Sequence, residues 1–154
     1  MTAPVLVFGW GNPSRGDDAL GPMFIEQLSA ALAKAQAGHV ECLSDFQLQV
    51  EHALDLAGRE RVLFVDASVS AAAPFETMVL QAARDTSFTT HAMSPQALMQ
   101  VFAQVHGREA PPCTLLAIRG ERFELGDPPT PVAGAGLVQA LAWALQWLSV
   151  ENAA

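Results

Sequence analysis

Five short apolar runs, at residues 4–8, 39–43, 61–65, 77–81 and 113–118, alternate with stretches of helical period at residues 20–36, 48–56, 95–105 and 132–148. The runs are rich in Val, Leu, Ile or Phe and have strand length, whereas the longer stretches repeat their apolar residues every three to four positions. This alternation constrains the fold more than any other feature, because a helical crossover returns the next strand parallel to the last. Most of the runs show no polar alternation and read as strands buried on both faces, as in a mostly parallel sheet. One connection differs. Residues 66–81 are rich in Ala and Ser, contain Pro74 and are too short for a crossover helix, so one strand is expected to run antiparallel. The expectation is an α/β fold: a three-layer α/β/α sandwich around a mostly parallel, doubly wound sheet of about five strands.

The 154 residues suit a single domain, residues 1–154, with no repeat, low-complexity stretch or linker to divide them. With 51% hydrophobic and 16% charged residues, the chain has the makings of a packed core. Its longest apolar stretches read as shorter than the roughly 20 residues a bilayer crossing needs, and no basic segment precedes a signal-like apolar core. The cytoplasm is therefore the expected location, with no membrane partner. A net charge of −8 with only 8 Lys and Arg argues against a nucleic-acid partner, which would call for a basic patch. Cys42 and Cys113 stand far apart in apolar surroundings and read as packed thiols rather than a disulfide or metal pair.

In an open α/β sheet, ligands gather beyond the carboxyl ends of the strands. There the chain places Asp17 and Asp18 after the first run, Asp45 after the second, Asp66 after the third, and Thr89-Thr90-His91 after the fourth. If the first and third strands are neighbours, about 4.8 Å apart, Asp66 and one of Asp17 and Asp18 reach the same point. Two such carboxylates repel by roughly 1–3 kcal/mol unless a cation or a shared proton relieves them. With an imidazole they form an incomplete coordination set with open positions, which suits a catalytic metal more than a structural one. Oxygen and nitrogen donors without thiolate are compatible with Ni, Zn, Mn or Fe.

The spacing assigns Asp17 to capping the first helix and Asp18 to the site. Asp66, at the end of Val62-Leu63-Phe64-Val65, is costly there unless paired or solvated, with a turn or N-cap aspartate as the alternative. His91 reads equally as a site or a surface residue. Glu51 and His52 open a helix that could approach the same rim, while His39 and His106 receive no role. Gly9, Gly11 and Gly16 serve turn geometry, and Asn12 either ties that turn or faces the ligand. No Gly-x-Ser-x-Gly elbow is present, and neither cysteine falls in a suitable loop, which argues against serine and cysteine nucleophiles. A dinucleotide-binding module is the rival suggested by the glycines, but their spacing is imperfect and Asp17-Asp18 stand where a pyrophosphate would bind.

Gly9-Trp10-Gly11-Asn12, Gly16-Asp17-Asp18 with Gly21, Val65-Asp66-Ala67 and Thr90-His91-Ala92-Met93-Ser94-Pro95 follow one another in an order and spacing that covers nearly the whole chain. Together they resemble the [NiFe]-hydrogenase maturation endopeptidases. The resemblance implies an α/β/α sandwich that removes a short C-terminal extension from a hydrogenase large-subunit precursor once nickel has been inserted. Nickel in the precursor would be the recognition signal, so the metal arrives with the partner. The positions implied to contact it, and to carry the catalysis, are Asp18, Asp66 and His91. Many members of that family have Gly-Gly-Thr after the second strand, where this chain has Ser44-Asp45-Phe46-Gln47-Leu48-Gln49. The variant resembles the branch serving soluble, NAD-reducing bidirectional hydrogenases. The remaining alternative is a non-catalytic nickel-binding assembly factor that uses the same three ligands.

Overall fold

The computed structural model describes residues 2–83 and 93–152. The elements run β1 (Val5–Trp10), a 3-10 turn (Gly16–Ala19), α1 (Leu20–Lys34), β2 (Val40–Asp45), a 3-10 helix (Val50–Leu56), β3 (Arg61–Ser68), β4 (Phe75–Val79), α2 (Pro95–His106), β5 (Cys113–Arg119) and α3 (Pro131–Asn152). The strands form one sheet in the order β2-β1-β3-β5-β4. All neighbours are parallel except β4, which runs antiparallel to β5, as the short connection after Asp66 required.

Alternation along the strands sends side chains to two separate cores. Val5, Val7, Leu63, Val65, Leu116 and Ile118 pack against α1 and α3. Leu6, Phe8, Trp10, Val62 and Phe64 pack on the other face against residues of the 50–56 helix and α2, among them Leu56, Leu98 and Phe102. Each buried side chain of this size contributes roughly 1.5–3 kcal/mol, so the two cores account for the three layers. The expectation of strands buried on both faces holds for β1 and most of β3. It fails for β2 and β4, which lie at the sheet edges and are largely exposed or half-buried. The helix expected over 48–56 is instead a 3-10 helix. It buries Ala53 and Leu56, three residues apart, which fits a helix of three residues per turn.

The reading of the apolar stretches as too short for a bilayer is corrected by α3. Pro131–Ser149 is 19 residues long and apolar enough to cross a membrane by length and composition. In the fold, this helix buries Ala133, Leu137, Ala140, Ala144 and Leu148 in the core. The buried Arg61 donates to the carbonyls of Trp147 (3.4 Å) and Leu148 (3.3 Å), and its guanidinium lies 3.9 Å from the Trp147 ring centre. A cation near a helix C-terminus is favourable, and here it ties the last turns of α3 to the start of β3.

One close approach positions the site. A Cβ on Gly21 would stand 2.2 Å from the carbonyl oxygen of Trp10, so only glycine lets the first turn of α1 sit on the end of β1. β1 therefore runs two residues beyond its apolar run. Its chain then crosses to β2 on one side, while β3 lies on the other, which makes the carboxyl ends of β1 and β3 the switch point of the sheet.

Candidate active site

The loop leaving β1 has committed its own backbone. The amide of Gly11 donates to Asp45 O, Asn12 to Asp18 Oδ2, Ser14 to Asn12 Oδ1, Arg15 to Asn12 O, Gly16 to Asp127 O, Asp17 to Arg122 O and Asp18 to Arg15 O. Pro13 has no amide to give, so no N–H in this loop is free for a pyrophosphate. That removes the physical basis of a dinucleotide site, which depends on such groups. Asn12 ties the turn through both side chain and backbone. Gly11 has φ +147°, and a Cβ there would meet Asp18 O at 1.9 Å, so the loop folds tightly over the second aspartate.

Asp18 and Asp66 come together at the switch point. Asp18 is partly exposed and is oriented by the Asn12 amide at 2.8 Å. Asp66 lies near the end of β3, one position past Val65, which pairs with Gly9 of β1. Burial pushes the Asp66 carboxyl up to about 7; the Ala67 amide, 2.8 Å from Oδ1, opposes the rise, and the charge of Asp18 adds to it. This is the repulsion expected of two carboxylates sharing a point. His91 lies outside the described residues. Among the described residues, no group of three His, Cys, Asp or Glu is gathered to hold a metal.

Asp17 does not cap the first helix. Neither the 3-10 turn nor α1 has a side-chain cap. The carboxylate is instead fully buried, and it accepts from Glu121 N (2.7 Å), Arg122 N (3.2 Å), Thr130 N (2.7 Å) and Thr130 Oγ1 (2.8 Å). Burial acts to raise its pKa, but these bonds outweigh it and hold the carboxyl below the ordinary carboxylate range. The capping rule failed because it considers only donors of the adjacent helix. Residues 121–130 gave no sequence signal that they would wrap the first loop.

His52 reaches the rim and Glu51 is exposed. The His52 ring accepts the Gln49 amide at Nδ1 (2.8 Å), which leaves Nε2 to donate to Asp45 Oδ2 (3.1 Å). Both nitrogens are occupied, so His52 braces the end of β2. His106 sits at the end of α2 with Nδ1 3.2 Å from Phe102 O. Cys42 and Cys113 are free thiols. Burial raises both, Cys113 to about 12, and this opposes the formation of a nucleophilic thiolate. An open groove of ≈480 Å³ beside the loop is lined by Asn12, Arg15, Phe123, Glu124 and Leu125.

The fold and these positions define a three-layer α/β/α protein with paired carboxylates at the switch point of its sheet. No family model matches the chain, and no curated protein matches its sequence. Solved structures do. The [NiFe] hydrogenase maturation protease HycI from Thermococcus kodakarensis KOD1 superposes with a TM-score of 0.74 at 18% identity, over 96% of this chain and 93% of that one. The hydrogenase maturating endopeptidase HybD from E. coli gives 0.72 at 25% identity, again over 96% and 93%. A hydrogenase 2 maturation peptidase from Thaumarchaeota archaeon SCGC_AB-539-E09 gives 0.65 at 22%, over 94% and 97%. The first and third share the fold, and HybD shares it end to end with a quarter of the residues identical. In fold along its whole length, and in a quarter of its residues against HybD, the chain is similar to the hydrogenase maturation endopeptidases.

Proposed function

We propose that this chain removes the C-terminal extension of a [NiFe]-hydrogenase large-subunit precursor after nickel insertion, in the cytoplasm. In this reading the nickel held by the precursor docks on Asp18, Asp66 and His91. The observation that carries it is the pair of carboxylates at the switch point, one with its proton affinity raised by burial and by the other. A divalent cation offsets both the burial and the repulsion, and carboxylate oxygens are acceptable nickel donors. The metal is part of the substrate and acts as its credential. Burial makes Asp66 hold its proton toward neutral pH, so docking a cation there displaces that proton.

For the cut, water adds to the scissile carbonyl carbon, the C–N bond breaks, and a proton passes from that water to the departing amine. A carboxylate beside the scissile peptide, Asp18 or Asp66, would accept that proton from the water and return it to the amine. Asp18 orients the docked substrate and is itself oriented by Asn12. The precursor of a soluble, NAD-reducing hydrogenase is the first to try, because residues 44–49 depart from the Gly-Gly-Thr pattern in the way that branch does.

The test is to incubate the protein with that precursor, nickel-loaded and nickel-free, and to record intact masses. Loss of one C-terminal peptide from the loaded form alone is the expected result. Nickel-dependent complex formation with no change of mass would overturn the proposed cut and point to an assembly factor.

A further inference from the structure

We infer that Asp17 is a positioning residue: by fastening the first loop to residues 120–130, it sets Asp18 in place against Asp66. The 3-10 turn that carries both aspartates is four residues long and has no side-chain cap. A single turn fixes more torsions than its internal bonds repay, so it needs support from elsewhere. That support comes from the segment between β5 and α3. Besides the four bonds to the Asp17 carboxylate, Asp17 N donates to Arg122 O (2.7 Å), Gly16 N to Asp127 O (3.0 Å) and Gly126 N to Ser14 O (2.7 Å).

Thr130 is the joint. Its hydroxyl donates to Asp17 while accepting the Ala133 amide at 3.3 Å, so the start of α3 and the 3-10 turn share one oxygen. Asp17 is fully buried and touches no substrate, so it acts through its neighbour. Asp66 belongs to a central strand held on both sides, whereas Asp18 sits on a turn held by Asp17. A shift of the turn therefore changes the spacing of the two carboxylates.

This positioning role deepens the proposed peptidase reading, and only its kinetic arm rests on that reading. The variants are Asp17→Asn, Thr130→Val and Thr130→Ser, with Leu32→Ala at the far end of α1 as a destabilised control. Amide exchange at Asn12, whose N–H binds the Asp18 carboxylate, reports the turn directly. Thr130→Val deletes one bond to a charged acceptor, so Asn12 protection and kcat should each fall about tenfold, with KM within about twofold. Thr130→Ser should restore both. Asp17→Asn should lose more, and if it fails to fold the Thr130 pair still decides. Leu32→Ala should lower Tm without moving Asn12 protection or kcat. Unchanged Asn12 protection in Thr130→Val, or an equal loss of kcat in Leu32→Ala, would overturn the inference. If the wild type leaves the precursor intact, the peptidase reading falls and amide exchange alone still decides the role of Asp17.

Discussion

Replacing Asp66 with Asn should stabilise the protein in mildly alkaline solution. The carboxyl is raised from its ordinary 3.8 to about 7, mainly by burial. At 1.36 kcal/mol per unit, that shift corresponds to about 4 kcal/mol, an upper bound. Asp66 stands at the rim and is only partly shielded from water, so we discount this to about 2 kcal/mol. Because the folded protein holds the proton more tightly than the unfolded chain, the contribution is fully present below about pH 4 and is lost as pH rises through about 7. Asn does not titrate and escapes that loss. Urea unfolding of wild type and Asp66→Asn from pH 5 to 8, at fixed ionic strength, should give a stability difference that moves in favour of the variant by about 2 kcal/mol up to about pH 7 and levels off above it. Parallel curves across that range would refute the buried, Asp18-coupled environment assigned to Asp66.

Asp18→Asn removes the neighbouring charge and should lower the Asp66 midpoint, read by carboxyl carbon NMR, while abolishing precursor cleavage. Docking of the nickel-loaded precursor should weaken about tenfold per pH unit below 7, because one proton must leave Asp66; a binding titration from pH 5.5 to 8 checks the slope. Gly11→Ala puts a Cβ 1.9 Å from Asp18 O at φ +147° and should cost at least about 2 kcal/mol in urea unfolding, with lost protection at Asn12.

The sheet was legible because strand and helix periods differ and because β1 and most of β3 are core residues. Asp18 and Asp66 were legible for a topological reason, since the ends of neighbouring parallel strands must converge. His91 lies outside the described residues. Other features depended on long-range contacts that periodicity does not encode. Asp17 has a cap's position, but its donors lie in residues 121–130. The 48–56 segment shows apolar spacing compatible with either helix type, and only its packing under β1 and β3 selects the tighter one. Gly9 looked like the start of a turn, yet it belongs to β1 because α1 rests against it. The apolar period over residues 132–148 is shorter than α3 itself, because the helix runs on to Asn152 past the last core residue, Leu148.

The bonds to Asp17 also bear on how the protein is made. Its carboxylate finds partners 104 to 113 positions further along the chain. During synthesis the glycine-aspartate motif leaves the ribosome more than a hundred residues before its partners, and its geometry waits for Thr130 and the helix that follows. Until then a carboxylate destined for a dry interior has no donors, and closing so long a loop is entropically unfavourable without the rest of the core. A nascent chain that stops short of residue 130 therefore displays the entire motif while lacking the arrangement that would let it recognise a substrate.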